Sequence, residues 1–220
     1  MSKTKIKVDI VSDVVCPWCY IGKRRLERAI DSLKDRFEFD LKYHPFELNP
    51  EIPTDGVDQK SHFIKKFGGE DRYQKITNHV TQVASGEGLH FDFEKQNVTP
   101  NTRQAHSIIQ FALPEGKQPA VKEAFMKAYF VDGIDLSKKE NLLQIAETAG
   151  LSKSTVEKLL ANDEGLKEVA KAEHELQKLG ITGVPFYIIN NKYGISGAQP
   201  TESFIEAFEN IASEVNVENP

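Results

Sequence analysis

The sequence places its only two cysteines, Cys16 and Cys19, where a strand pattern changes into a helix pattern. Before the pair, residues 5–11 alternate between apolar and polar side chains, as in a half-buried strand. After it, from Pro17 onward, residues recur at the spacing of one helix face: Cys19, Gly22, Leu26, Ala29, Ile30 and Leu33. The two thiols are therefore predicted to share the first turn of a helix that starts close to the end of a strand.

This placement predicts different surroundings for the two cysteines. Proline is favoured at the first helical position because its missing N–H needs no partner there, so Cys16 is expected to be exposed just before the helix. Cys19 lies on the apolar stripe and is expected to face the core. The partial positive charge of a helix N-terminus stabilises a thiolate, the reactive form of cysteine. We therefore predict that Cys16 attacks a disulfide and that Cys19 resolves the mixed disulfide.

Two other uses of a cysteine pair fit the sequence less well. A structural zinc site needs four ligands, but the chain has no second cysteine pair, and its six histidines show no suitable spacing. A structural disulfide between these cysteines would close a very short loop and gain little stability. A C-x-x-C pair that follows a strand and opens an amphipathic helix favours redox chemistry instead. We therefore predict a working redox pair with no metal and no cofactor.

The composition and net charge limit which classes of partner and which cell compartment fit the chain. With 39% hydrophobic and 28% charged residues the chain is typical of a globular protein. Its net charge of −5 argues against nucleic acid or an anionic membrane as the main partner, and no apolar run is long enough to span a membrane. Asp9 and Asp13 interrupt the N-terminal apolar run, which we interpret as a strand rather than a secretion signal, so we expect a cytoplasmic protein. The basic run Lys23–Arg25 is expected to be a solvated helix face.

Patterns further along the chain predict a sheet built from both ends. Residues 37–46 alternate again, which predicts a second strand and a right-handed βαβ unit. Helical patterns dominate from about residue 58 to residue 179, and Thr99–Pro100 is interpreted as a helix start there. Near the C-terminus, the runs VPFYIIN and KYGIS on either side of Asn190–Asn191 predict a hairpin. A last amphipathic helix is predicted over 201–213.

Five segments resemble the DsbA-like oxidoreductases of the FrnE type: SDVVCPWCYIGK, HPFELNP, NTRQAH, GVPFYIIN and YGISGAQP. The resemblance touches almost the whole chain, in the family's order. It implies an α/β thioredoxin fold with a large all-helical domain inserted between the second and third strands, the layout that the patterns also predict. Residues 1–50 and 180–220 are then predicted to form the thioredoxin domain, and residues 51–179 the helical insertion domain. The implied activity is that of a thiol-disulfide oxidoreductase or isomerase with a CPWC active site.

The resemblance also assigns residues around the thiols. Thioredoxin-fold enzymes carry a cis-proline opposite the cysteine pair, and by resemblance Pro185 is that residue, with the Val184–Pro185 bond in cis. The backbone of Val184 would then be open beside Cys16, where an extended substrate could pair with it as an added strand. Pro17 and Trp18 complete the predicted substrate-binding residues. For Trp18 a second reading stays open, in which the ring packs under the helical insertion.

One position departs from the family pattern. Many thioredoxin-fold enzymes hold a buried acid beneath the second cysteine, six residues before the first, and this chain has Ile10 there. Asp9 is adjacent, but in a regular strand its side chain points the other way. The proton acceptor of Cys19 is therefore open between water and Asp9. His106, in the NTRQAH segment, is predicted to be a hydrogen-bonded residue at the domain interface rather than a catalytic one.

Two functions fit this scaffold. The leading one exchanges disulfides with protein or small-molecule substrates, with glutathione among the candidate partners. The rival is a glutathione-dependent isomerase or transferase, since the 2-hydroxychromene-2-carboxylate isomerases and kappa-class glutathione transferases have a similar architecture. As the resemblance has it, those enzymes usually carry serine where this chain has Cys16 and lack the paired thiol. The retained pair therefore favours disulfide exchange.

Overall fold

The longer strands lie near both ends of the chain, and most of the helices lie between them. The structure is a computed structural model that describes the backbone of residues 3–218 and the side chains of residues 3–214. The strands are β1 (Thr4–Ser12), β2 (Phe37–Pro45), β3 (Val57–Asp58), β4 (Val98–Thr99), β5 (Phe186–Ile189) and β6 (Tyr193–Ser196). The helices are α1 (Pro17–Leu33), α2 (Gln59–Phe67), α3 (Glu70–Gly86), α4 (Arg103–Phe111), α5 (Gln118–Phe130), α6 (Lys139–Thr148), α7 (Lys153–Leu160), α8 (Glu164–Lys178) and α9 (Thr201–Glu218). Among these described helices, none is both long and apolar enough to cross a lipid bilayer.

The main sheet has the strand order β2-β1-β5-β6. β1 pairs with β2 in parallel along its whole length, and β5 runs antiparallel to β1 on the other side. β6 returns antiparallel to β5 after a turn in which Asn190 and Asn191 have φ angles of 49° and 57°, the conformation of a tight hairpin turn. The predicted strands and hairpin are confirmed, and with them the α/β thioredoxin fold.

Apolar side chains cover both faces of the main sheet. On one face, Ile10 of β1 and Tyr187 of β5 are buried in the large core that also holds residues of α1 and α9. On the other face, Val11 of β1 packs with Leu176 of α8 and with Ile181. The end of β1 is thus covered from both sides, and the turn that leads into α1 starts inside the protein.

The region between β2 and β5 holds helices α2 to α8, as predicted for an insertion, but it is not all-helical, because the short strands β3 and β4 also lie in it. Helices α4, α5 and α8 pack against β2 and join this region to the sheet. The prediction that a helix begins at Thr99–Pro100 is wrong, because Thr99 pairs with Val57 in the small β3-β4 sheet and α4 begins only after Thr102. A residue before proline favours an extended backbone, which explains the strand. The exact domain boundaries stay a prediction. Residues 1–2 and 219–220, which the predicted thioredoxin domain includes, lie outside the described residues.

The basic run Lys23–Arg25 binds acids of the insertion, so the prediction of a solvated helix face is wrong. Lys23 is buried and pairs with Glu123 of α5 at 2.6 Å, and Arg24 binds the same carboxylate. Arg25 pairs with Glu87, which directly follows α3, at 2.6 Å. Burial alone would raise the pKa of Glu123, but the hydrogen bond from Arg24 and the charge of Lys23 lower it to about 2. These ion pairs hold α1 against two helices of the insertion.

Gly22 allows α1 to lie close to β5. A Cβ at this position would collide with the hydroxyl of Tyr187 and would lie 3.3 Å from Cγ of Pro185.

We expect Gly22→Ala to lower the free energy of unfolding by about 1–3 kcal/mol, because the helix must move away from the sheet. The matched control is Gly86→Ala in α3, where a Cβ meets nothing within 4 Å. We expect that variant to be neutral or more stable by up to about 1 kcal/mol. Urea unfolding measures both, and equal effects would contradict the close approach.

Candidate active site

The thiols of Cys16 and Cys19 lie together at the start of α1. Cys16 is the N-cap residue, with an extended backbone (φ −92°, ψ 112°), and Pro17 is the first helical residue. The carbonyl oxygen of Cys16 accepts the N–H of Cys19 at 3.0 Å, which closes the turn. Both side chains are free thiols, and they lie close enough for Cys16 to raise the pKa of Cys19. The structure therefore brings together the two residues that the spacing singled out.

Cys16 is buried, so the prediction of an exposed thiol is wrong. It is 4% exposed, against 2% for Cys19. The segment before β5 borders the thiol through Val184, and residues of α2, α3 and the loop after β2 enclose a cavity beside the start of α1. A cavity between these elements reaches Cys16 and gives its thiol a path to a ligand. Cys16 is therefore buried but can still be reached by a ligand through the cavity.

The cavity beside Cys16 is mostly apolar and has a volume of about 320 Å³. Pro17, Trp18 and Val184, three of the predicted substrate-binding residues, form its wall next to the thiol. The facing wall is apolar too, with Leu48 from the loop after β2 and Phe63, Phe67 and Ile76 from helices α2 and α3 of the insertion. Trp18 lines the cavity, and its half-buried ring packs under the insertion, 6.1 Å from the ring of His79 in α3. Its contact with a substrate stays a prediction. This volume suits one sizeable apolar group of a ligand.

The backbone before β5 approaches the nucleophile. The Val184–Pro185 peptide bond is cis, as the resemblance implies. The carbonyl oxygen of Val184 lies 3.9 Å from Sγ of Cys16, in the range of a sulfur hydrogen bond. Pro185 is itself buried, with its ring close to Gly22 of α1. Val184 therefore borders the thiol directly, whereas Pro185 supports this segment from behind.

A buried lysine lies at the end of β1, where the chain turns toward the two cysteines. Lys122 of α5 is 1% exposed, and its Nζ donates to the carbonyl oxygen of Ser12 at 3.2 Å. Burial lowers the pKa of Lys122 to about 8, although the negative charges of Cys19 and Asp13 oppose that change. Burial also raises the pKa of the Cys19 thiol, and the hydrogen bond with Cys16 raises it further. Cys19 is therefore a poor thiolate at rest and needs a partner when it reacts.

Asp9 does not lie beneath Cys19. Its carboxylate pairs with Lys7 at 2.8 Å and with His44 at 2.7 Å, while the neighbouring Ile10 is the side chain that enters the core with Cys19. The pairing of β1 with β2 is regular at this point, so the side chains alternate as the strand pattern predicts. Of the two proton acceptors left open, Asp9 is therefore excluded by its direction.

Asp13 connects three of the segments that carry the family resemblance. Its fully buried carboxylate accepts the N–H of Leu48 at 2.8 Å and lies 3.1 Å from Nε2 of His106. Burial alone would raise the pKa of Asp13, but the hydrogen bond and charge of His106 and the N–H of Leu48 lower it. The same Nε2 lies 3.2 Å from the carbonyl oxygen of Phe46. The prediction of a hydrogen-bonded histidine at the interface is confirmed.

The loop after β2 is held by side chains of the insertion. Arg103 donates to Glu47 at 2.7 Å, and Asn101 donates to the other oxygen of the same carboxylate at 3.1 Å. On the opposite side, Glu173 of α8 accepts the N–H of Glu47 at 2.6 Å. Burial and the charge of Glu47 raise the pKa of Glu173 to about 7. Because Leu48 follows in this loop, these bonds help to shape the cavity wall.

Sequence reasoning missed Lys122, although the chain carries a signal for it. The segment QPAVKEAFMKAYF is apolar on most sides, and Phe125, Met126 and Tyr129 lie three, four and seven residues after Lys122. A lysine in the middle of such a stripe is expected to be buried. The pattern does not reveal that the stripe faces the cysteines, because that depends on how α5 packs against the β1–α1 turn.

Comparison with known proteins decides the family. The DsbA-like thioredoxin domain matches residues 7–209 of the chain. The chain belongs to the DsbA-like thioredoxin domain family. A solved structure agrees: the probable DsbA oxidoreductase SCO1869 from Streptomyces coelicolor is 31% identical, with a TM-score of 0.88 over 95% of this chain and 91% of its own. This family membership supports an oxidoreductase.

Two more distant structures share the fold of this DsbA-like protein. The cytosolic disulfide reductase DsbM from Pseudomonas aeruginosa, solved with GSH, is 17% identical with a TM-score of 0.68 over 94% of this chain and 99% of its own. A 2-hydroxychromene-2-carboxylate isomerase is 14% identical with a TM-score of 0.71 over 97% of this chain and 100% of its own. At these identities the likeness shows the fold alone, so it does not choose between the two functions.

Glu173 should make the stability of this DsbA-like protein depend on pH. Its raised pKa means that the folded protein favours the protonated carboxyl, so its contribution is present below about pH 4.5 and lost as the pH rises through about 7. We expect Glu173→Gln to raise the melting temperature near pH 8 by about 2–4 °C, and to change it less near pH 5. Glu168→Gln, an exposed glutamate of the same helix, is the control. Thermal unfolding at both pH values tests this, and an equal effect at both would contradict it.

Proposed function

We propose that this DsbA-like protein is a thiol-disulfide oxidoreductase, with Cys16 as the nucleophile and Cys19 as the resolving thiol. One observation carries the proposal: two free thiols lie close together at a helix start, and the first of them lines an open cavity. A cysteine at the start of a helix, within reach of a ligand, is the usual setting of a reactive thiol in disulfide oxidoreductases. The closeness of the thiols lets the second sulfur reach the first without a large movement.

The exchange has two steps. The Cys16 thiolate attacks one sulfur of the substrate disulfide, so that a mixed disulfide forms and the other substrate sulfur leaves as a thiolate that takes a proton from water. Cys19 then loses its proton and attacks Sγ of Cys16, which releases the second substrate thiol. The substrate gains two electrons and the cysteine pair loses two. A thiol reductant, such as glutathione or a dithiol protein, returns the pair to the reduced state.

The cavity supports a substrate that carries an apolar group beside its disulfide. Among residues 3–214, the most exposed large apolar side chains are those of Leu48 (36%), Ile76 (40%) and Leu179 (71%). Two of them, Leu48 and Ile76, line the cavity that reaches Cys16. Exposed apolar side chains around a reactive group are typical of a binding surface. An apolar side chain of an unfolded protein, or the apolar part of a small disulfide, fits this surface.

We further propose that the protein works in the cytoplasm as a reductase or isomerase of the FrnE type. The FrnE assignment rests on the five sequence segments. The compartment is supported by the shared fold of DsbM, which is named a cytosolic disulfide reductase. Glutathione is a candidate reductant, since DsbM was solved with GSH.

Single cysteine variants test the proposed reaction. We expect Cys16→Ser to reduce the rate of insulin disulfide reduction by roughly a hundredfold or more, because it removes the nucleophile. We expect Cys19→Ala to keep the first attack and to accumulate a mixed disulfide on Cys16, which mass spectrometry detects. If instead Cys16→Ser retained full activity and a glutathione-dependent isomerisation survived the change, the rival function would be favoured.

Substitutions at the exposed apolar residues test the substrate class. Leu48→Gln and Ile76→Gln should each raise KM for an aromatic disulfide by about three- to tenfold, because part of the apolar contact is lost. They should leave KM for 2-hydroxyethyl disulfide nearly unchanged. Leu179→Gln changes an apolar side chain that is more exposed and does not belong to the cavity wall, so it is the matched control. If all three variants change KM for the aromatic disulfide equally, the cavity does not bind the apolar group.

A further inference from the structure

Lys122 is buried without a carboxylate at hydrogen-bond distance among its described contacts. Its hydrogen bond goes to the carbonyl oxygen of Ser12 at 3.2 Å, a neutral acceptor at the end of β1. Lysine is almost never buried to this degree unless it is paired, because an ammonium group loses its hydration. A site that keeps such a residue needs a reason other than stability.

The amine of Lys122 lies at the Ser12 carbonyl, and the charged groups that act on its pKa come from the segments that follow Ser12. The β1–α1 turn contributes Asp13, and α1 with its N-cap contributes Cys16, Cys19 and, as an opposing cation, Lys23. Asp13 is already bound by His106 and by a backbone N–H, and Lys23 by two glutamates. The thiols are the groups in this set that gain or lose a negative charge during disulfide exchange.

We propose that Lys122 is the proton acceptor of the resolving step: its neutral amine accepts the proton of Cys19, and the resulting ammonium stabilises the Cys19 thiolate as it attacks. This inference rests on the proposed function. It supplies a proton acceptor for Cys19. Such an acceptor is needed because Ile10 occupies the position where many thioredoxin-fold enzymes hold a buried acid. The proton acceptor would then come from α5, a helix of the insertion, rather than from the strand beneath the cysteines.

The proton and electron balance of the step is complete within the site. The S–H bond of Cys19 breaks and its proton moves to Nζ of Lys122. The Cys19 sulfur then forms a bond to Sγ of Cys16 while the bond between Cys16 and the substrate sulfur breaks. The substrate sulfur leaves with the electron pair and takes a proton from water or from the ammonium. The pair of cysteines is oxidised, and the substrate thiol is the reduced product.

The surroundings of Lys122 suit this role at neutral pH. Burial lowers the pKa of its amine to about 8, so part of the population is neutral near pH 7.5 and can accept a proton. An exposed lysine, with a pKa near 10.4, would be almost fully charged there. The raised pKa of the Cys19 thiol makes an acceptor necessary.

A chromogenic disulfide separates the two steps. With 5,5′-dithiobis(2-nitrobenzoic acid) in single-turnover experiments, the attack by Cys16 releases one coloured thiolate and the attack by Cys19 releases the second. Stopped-flow absorbance therefore gives one rate for each cysteine. Cys19→Ala, which lacks the second release, identifies the second phase. The measurement is made from pH 6 to pH 9 on the full-length protein.

Three lysine variants test the role. We expect Lys122→Met to slow the second phase near pH 7.5 by about tenfold or more, and to change the first phase much less, because the proton acceptor and the cation are both lost. Lys122→Arg keeps a cation that does not release its proton in this range, so the second phase should stay slow near pH 7 and lose its rise around pH 8. Lys127→Met, an exposed lysine of the same helix, is the matched control and should resemble the unmodified protein.

The outcomes separate this inference from the proposed function. If neither release occurs in the unmodified protein, the proposed function fails. If both releases occur and Lys122→Arg has the second-phase pH profile of the unmodified protein, Lys122 has no part in proton transfer and the inference is overturned. Lys122→Arg also keeps the test valid should Lys122→Met fail to fold, because the larger cation retains the charge at this position.

Discussion

The junction between β1 and α1 is the constraint on which the site depends. β1 is covered on both faces, so the chain leaves it inside the protein, and the helix must begin there with its N-terminal N–H groups directed at a buried turn. Cys16 occupies the cap of that helix and Cys19 follows one turn later. The closeness of the two thiols, and the direction of the second into the core, both follow from this local geometry.

Around this junction, buried charges join the sheet to the helical insertion. Asp13 binds the loop after β2 and His106 of α4. Two adjacent residues of α5, Lys122 and Glu123, contact different segments. Lys122 faces the cysteine turn, and Glu123 binds the basic residues of α1. Because removing one member of a buried pair is costly, these contacts specify how the insertion sits over the thiols. The insertion is therefore part of the active site as well as its cover.

Much of the fold was predictable because it rests on local patterns. The alternation in β1 and β2, the two asparagines of the hairpin and the stripe of α1 each depend on neighbours in the sequence. The family resemblance added the cis bond before Pro185. By contrast, the burial of Cys16, the ion pairs of Lys23–Arg25 and the position of Lys122 depend on contacts between distant segments. A pattern within one helix does not say which helix will cover it, so these features came only from the structure.

The most direct test of the account is a redox titration of the unmodified protein in buffers of reduced and oxidised glutathione, with the Cys16–Cys19 disulfide quantified by mass spectrometry after acid quenching. The account predicts one reversible two-electron transition, in which the intramolecular disulfide replaces the two thiols and mixed glutathione species remain minor. Failure to form that disulfide at any buffer ratio, with glutathione instead retained on Cys16, would contradict it.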